Sequence, residues 1–106
     1  MKICRVLCLG AALVLVPAAL AKLPFPNETF GKMEGTLDFC AQSDAQSASK
    51  YEERKKAMVK GVSEQELAEA RATQEYRDGY DSTNAELAKL PKEKVVEACT
   101  AFLKGN

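Results

Sequence analysis

The sequence predicts an all-α fold, a small four-helix domain in which the first helix is short and one disulfide joins the first helix to the last. Three observations carry this. Apolar residues recur at spacings of three and four along most of the chain, which is the helical period. Runs that alternate apolar and polar side chains, the mark of half-buried strands, are missing. Two cysteines, Cys40 and Cys99, fall on the apolar faces of the first and last helical segments.

The opening MKICRVLCLGAALVLVPAALA has the layout of a cleaved secretory leader, with Lys2 and Arg5 ahead of an apolar run and Ala19-Leu20-Ala21 at its end. The run is shorter than the roughly 20 residues a spanning helix needs. Cleavage after Ala21 leaves residues 22–106, expected as an extended proline-containing lead over 22–29 and one helical domain over 30–106. Lys22 to Asn27, KLPFPN, holds two prolines, which fix their own φ and bias the preceding residues toward extended backbone. Asn27 is placed to cap a short first helix. Its apolar face is Phe30, Met33, Leu37 and Cys40, and Gly31 and Gly35 weaken it. The second helix is expected after Ser43 with Asp44 as its N-cap; Ala48, Tyr51, the stem of Lys55, Met58 and Val62 make its apolar stripe. Gly61 suits the left-handed position that follows a helix. Ser63-Glu64-Gln65-Glu66 is a capping box for the third helix. The period then runs through Leu67, Ala70, Thr73, Tyr76 or Arg77, Tyr80, Asn84 and Leu87, predicting one helix from Glu64 to about Lys89, roughly 39 Å long at 1.5 Å per residue. Gly79 in its middle marks either a kink or a close crossing. Pro91 ends that helix, and Pro91 or Lys92 opens the last one. Val95, Val96, Cys99, Phe102 and Leu103 are its apolar face, and Gly105 closes it.

Composition excludes several functions. Fifteen basic residues balance fifteen acidic ones. Lys2 and Arg5 leave with the leader, so the remainder carries a net charge of −2. That gives no basic excess for a nucleic-acid backbone and no cationic face for anionic lipid, and removal of the leader removes any stable membrane anchor. The chain has no histidine, so a Ser/His/Asp triad cannot form and a zinc site lacks its usual nitrogen ligand. It has no Cys-x-x-Cys pair, no glycine-rich phosphate loop and no cofactor motif. Cys4 and Cys8 depart with the leader, and Cys40 and Cys99 are then the only pair available, as expected for a structural disulfide in an exported chain. Such a staple closes a loop of roughly 60 residues, worth about 4 kcal/mol in the chain-entropy account.

The remaining polar groups point to binding rather than catalysis. Tyr76, Arg77, Asp78, Tyr80, Asp81, Asn84 and Glu86 are the most polar and aromatic cluster, but their spacing is not that of a calcium loop. Tyr76, Tyr80 and Phe102 are the candidate interaction residues; catalytic residues and metal ligands are expected to be absent. Glu64, Glu66, Glu69 and Glu75 could supply paired carboxylates for acid–base work, but the first-turn acids already have a capping role. Asn27-Glu28-Thr29 fits the N-glycosylation pattern, which matters only in a glycosylating host.

The segments GTLDFC, YRDGYDSTNAELAKLP and VVEACTAFL resemble small helical periplasmic proteins of Gram-negative bacteria that carry one disulfide. More loosely, the build and the Cys99-Thr100 pair are similar to the acid-activated periplasmic chaperones. This resemblance implies a periplasmic or secreted protein that is not an enzyme. Such a protein is expected to bind a protein partner, either as a stress-type chaperone or as a structural accessory subunit of an envelope or secretion complex.

Overall fold

The computed structural model describes residues 22–104, and the predicted leader and Gly105 lie outside them. Five α-helices follow in order: α1 (Asn27–Ser43), α2 (Ala48–Met58), α3 (Glu64–Arg71), α4 (Gln74–Ala88) and α5 (Lys92–Lys104), with a 3₁₀ turn at Ala45–Ser47 between α1 and α2. Among the described residues there is no strand. No helix among them is long and apolar enough to cross a membrane. The all-α class stands, with five helices rather than four among the described residues.

The extra helix comes from a break in the predicted segment Glu64–Lys89. Thr73 is extended, at φ −80° and ψ 156°. Its hydroxyl donates to the Ala70 carbonyl at 2.7 Å and accepts from the Tyr76 amide at 3.2 Å. One side chain thus adds a second bond to the Ala70 carbonyl, which also accepts from the Thr73 amide, and caps the orphan Tyr76 amide that opens α4. The Ser63 cap forms as expected, accepting from the Glu66 amide at 3.0 Å.

The first helix is not short. At 17 residues α1 is the longest described, and it begins inside the predicted extended lead. Pro26 occupies the N-cap position, and its carbonyl takes the first helical bond from the Phe30 amide at 2.9 Å. Asn27 is therefore the first helical residue rather than the cap. Asp44 is not a side-chain cap either. Its Oδ2 accepts from the Tyr51 hydroxyl at 3.2 Å, and α2 starts four residues later. Gly61, at φ 87°, has the one positive φ among the described residues and turns the chain from α2 into the Ser63 cap.

Gly31, Gly35 and Gly79 explain why α1 and α4 lie so close. A Cβ on Gly31 would collide with the Tyr76 carbonyl oxygen, and one on Gly79 with the Glu28 carbonyl oxygen. The alternative left open at Gly79 resolves as a close crossing. The helix propensity lost at the two α1 glycines, about 1 kcal/mol each, is the cost of that backbone approach.

Side chains bury in two clusters strung along α1. One holds Phe30, Leu67, Ala70 and Tyr76 from α1, α3 and α4. The other holds Leu37, Cys40, Tyr51, Val95 and Cys99 from α1, α2 and α5. The Cys40–Cys99 disulfide lies inside the second, with Cα atoms 5.6 Å apart, and joins the first helix to the last as predicted.

Candidate functional site

The helical period of α1 places Glu34 four residues after Phe30 and three before Leu37, on the face that enters the core. Its side chain is 2% exposed, the one buried charge among the described residues. Arg71, the last residue of α3, grips it with two bonds: Nε to Oε1 at 2.9 Å and Nη2 to Oε2 at 2.6 Å. The Tyr76 hydroxyl donates to the same Oε1 at 2.6 Å. A bidentate guanidinium and a phenol supply the partners that a desolvated carboxylate requires.

One turn further on, Asp38 repeats the arrangement. Lys55 of α2 reaches its Oδ1 at 2.7 Å, and the Tyr80 hydroxyl donates to its Oδ2. Two carboxylates spaced i, i+4 on α1 therefore meet two tyrosines spaced i, i+4 on α4. The glycine crossing brings the helices close enough for this, and Asn84 extends it, its Nδ2 donating across to the Gly35 carbonyl at 3.4 Å. Above the four side chains opens a cleft of about 360 Å³, rimmed by Lys55, Arg77 and Asp81.

The protons here are held in place. Burial, then the bond to Glu34 and its charge, raises the Tyr76 phenol above its ordinary value. Burial, then Asp38, does the same to Tyr80. Burial depresses the Lys55 ammonium, but the bond to Asp38 and the surrounding carboxylates outweigh it, so its pKa is raised. The bond to Glu34 raises Arg71 against a smaller effect of burial. These shifts run away from neutral pH, the reverse of what proton transfer to a substrate needs. Among the described residues no three acidic or thiol groups converge to hold a metal ion.

The three candidate interaction residues do not form one site. Tyr76 and Tyr80 are neighbours, with ring centroids 5.9 Å apart, but the Tyr76 side chain is buried and its hydroxyl is spent on Glu34. Phe102 packs half-buried against the disulfide cluster. The Arg54 guanidinium lies 5.5 Å over its ring, and Arg54 Nη2 donates to its carbonyl at 2.8 Å. Tyr76 and Phe102 thus serve the fold. Sequence reasoning missed Glu34, Asp38 and Arg71, and it saw Lys55 as an apolar stem rather than an ion-pair partner. A usable signal existed: Glu34 is a carboxylate within an otherwise apolar helical stripe. Compared with known protein families, curated proteins and solved structures, the chain has no significant match in any of the three.

Proposed function

We propose that the chain is an exported, non-enzymatic interaction protein of the bacterial envelope, acting as a stress-type periplasmic chaperone that opens in acid. One observation carries this reading: the crossing of α1 with α3 and α4 is held by the Glu34 and Asp38 carboxylates, one of them buried. Carboxylates as a class lose their charge below about pH 4, whereas Arg71 and Lys55 keep theirs. Acid therefore adds net positive charge to the whole chain, and the resulting self-repulsion strains a crossing that already holds two cations. The disulfide does not titrate, so opening bares Phe30 and Leu67 on a chain still tied at its other end.

The test measures near-ultraviolet circular dichroism and suppression of client aggregation from pH 7 to pH 2, for the wild type and for Glu34→Gln. The expected result is loss of tertiary signal with gain of suppression in acid. Glu34→Gln should be less stable at pH 7 by about 2 kcal/mol, below the full cost of breaking a buried pair because the freed Arg71 can reach water. A chain that stays folded at pH 2 and leaves clients to aggregate defeats the reading. The second reading, an accessory subunit of an envelope or secretion complex, draws on the exposed Leu90.

A further inference from the structure

Leu90 is the one large apolar side chain that stands exposed among the described residues, at 43%. It sits in the turn between α4 and α5, beside a groove of about 390 Å³. Phe39 from the end of α1, Leu87 from the end of α4 and Val95 from α5 form the apolar wall, and Lys92 forms the rim. The charge around it differs from that of the other clefts. The tyrosine cleft mixes Glu34, Asp38 and Asp81 with Lys55 and Arg77, the hollow beside Asn27 holds Glu66 and Glu69, and the hollow along α5 holds Glu93 and Glu97 beside Lys92. No carboxylate lines the Leu90 groove; Glu86 and Glu93, the nearest acids in sequence, stay outside it. Lys89 and Lys92 flank Leu90 and form no ion pair among the described residues. Lys92 is also the first residue of the 13-residue α5, whose N-terminal end adds a partial positive charge. On a chain predicted to be slightly acidic, this groove, part apolar and part polar through Gln42 and Ser43, has a lysine, Lys92, as its one charged lining residue.

We propose that this groove docks a segment of a partner protein that carries a large apolar side chain next to a carboxylate. The apolar side chain fills the space between Phe39, Leu87 and Leu90 and removes that surface from water. The carboxylate pairs with Lys92, which steers the encounter and fixes the direction of the segment. The proposal rests on the reading of the chain as an interaction protein, and it names the surface and the partner's chemistry.

The experiment measures fluorescence anisotropy of three short labelled peptides against the purified protein. One has an Asp-Leu-Phe-Glu core, one has its acids replaced by lysines, and one has its apolar pair replaced by serines. Saturable binding of the first alone, weakened by salt, is the expected result. Leu90→Ser should weaken it about tenfold, the worth of one buried apolar side chain. Leu90 is exposed, so this variant keeps its fold, which circular dichroism checks. A Lys89→Glu/Lys92→Glu variant should prefer the lysine peptide. The proposal is overturned by equal binding of all three peptides, by no binding at millimolar protein, or by a charge-reversed variant that behaves as the wild type. Capture by anionic vesicles without peptide binding assigns the groove to a membrane surface instead and also overturns it, as does concentration-dependent self-association abolished by Leu90→Ser. If the peptides fail while acid-induced client protection persists, the groove proposal falls and the chaperone reading stands.

Discussion

The two ends of α1 are held by different physics. At its N-terminal half, backbone meets backbone through Gly31 and Gly79, and a buried carboxylate binds a guanidinium and a phenol. At its C-terminal half a covalent bond lies among Leu37, Tyr51 and Val95. The first arrangement depends on fit and charge, so a single atom or a change of pH disturbs it. The second depends on a bond that neither heat nor acid breaks, and it fails only with a reductant. A small domain buries a modest core, and here that core is divided between the two solutions.

The sharpest way to break the comparison is to remove the bond. Cys40→Ser with Cys99→Ser should lower the free energy of unfolding by about 4 kcal/mol, the closure entropy of so long a loop. The measurement is urea denaturation, read beside the wild type with and without reductant. The Cys40 and Cys99 side chains are 0% and 1% exposed, so a mild reductant should act on the wild type only in urea, once the chain opens. A loss under about 1 kcal/mol would mean that Val95, Phe102 and Arg54 hold α5 by themselves.

At the other end the corresponding change adds a single methyl. Gly31→Ala gains up to about 1 kcal/mol of helix propensity, but its Cβ meets the Tyr76 carbonyl, and backbone cannot step aside as a side chain can. Overpacking of this kind costs about 1–3 kcal/mol, occasionally more, so a net loss near 2 kcal/mol is expected in thermal or urea unfolding. Gly35→Ala is the control. Its Cβ stands 3.0 Å from the Asn84 amide and from the Tyr80 carbonyl, a tight contact that small shifts relieve, and the variant should lie within about 1 kcal/mol of the wild type. Equal stability of both variants with the wild type would remove the close crossing from the account.

The two ends were not equally legible. The disulfide end could be read because its signals are local and chemical: two cysteines on apolar faces, and Val95, Cys99 and Phe102 at helical spacing. The crossing could not, because each of its signals has a duller local meaning. Gly31 and Gly35 read as weak points of a helix until the α4 backbone is known to lie against them. Thr73 read as one more residue on a helical face, although its hydroxyl serves both sides of a break. Asn27 and Asp44 read as caps by residue type, but Pro26 begins the ladder and Tyr51 claims the Asp44 carboxylate. Glu34 was passed over because carboxylates are seldom buried, and its partners Arg71 and Tyr76 lie 37 and 42 residues away. The Leu90 groove is equally non-local, drawing on α1, α4 and α5.

The mildest test compares the ends through their tyrosines. Tyr51 belongs to the disulfide end, where burial and then Asp44 raise its pKa; Tyr76 and Tyr80 belong to the crossing, where burial and then Glu34 or Asp38 raise theirs. These are the three tyrosines of the chain. A phenol whose folded pKa exceeds its unfolded value contributes stability that is whole below the unfolded value, about 10, and is lost as pH rises toward the folded one. Lys55 has the same sign, its contribution whole below an unfolded value of about 10.4 and lost above it. Absorbance at about 295 nm should therefore show fewer than half of the phenols ionised at pH 10, where ordinary tyrosines are half ionised. Phenolate appearing with the ordinary midpoint would contradict the buried hydrogen bonds. Tyr51→Phe leaves only the two phenols of the crossing, and its titration shows whether the ends open separately. A single cooperative rise in the wild type, unmoved in the variant, means that α1 couples them. Two rises, of which the variant lacks the later, mean that the crossing opens first while the disulfide cluster stays shut, the order the acid-opening reading requires.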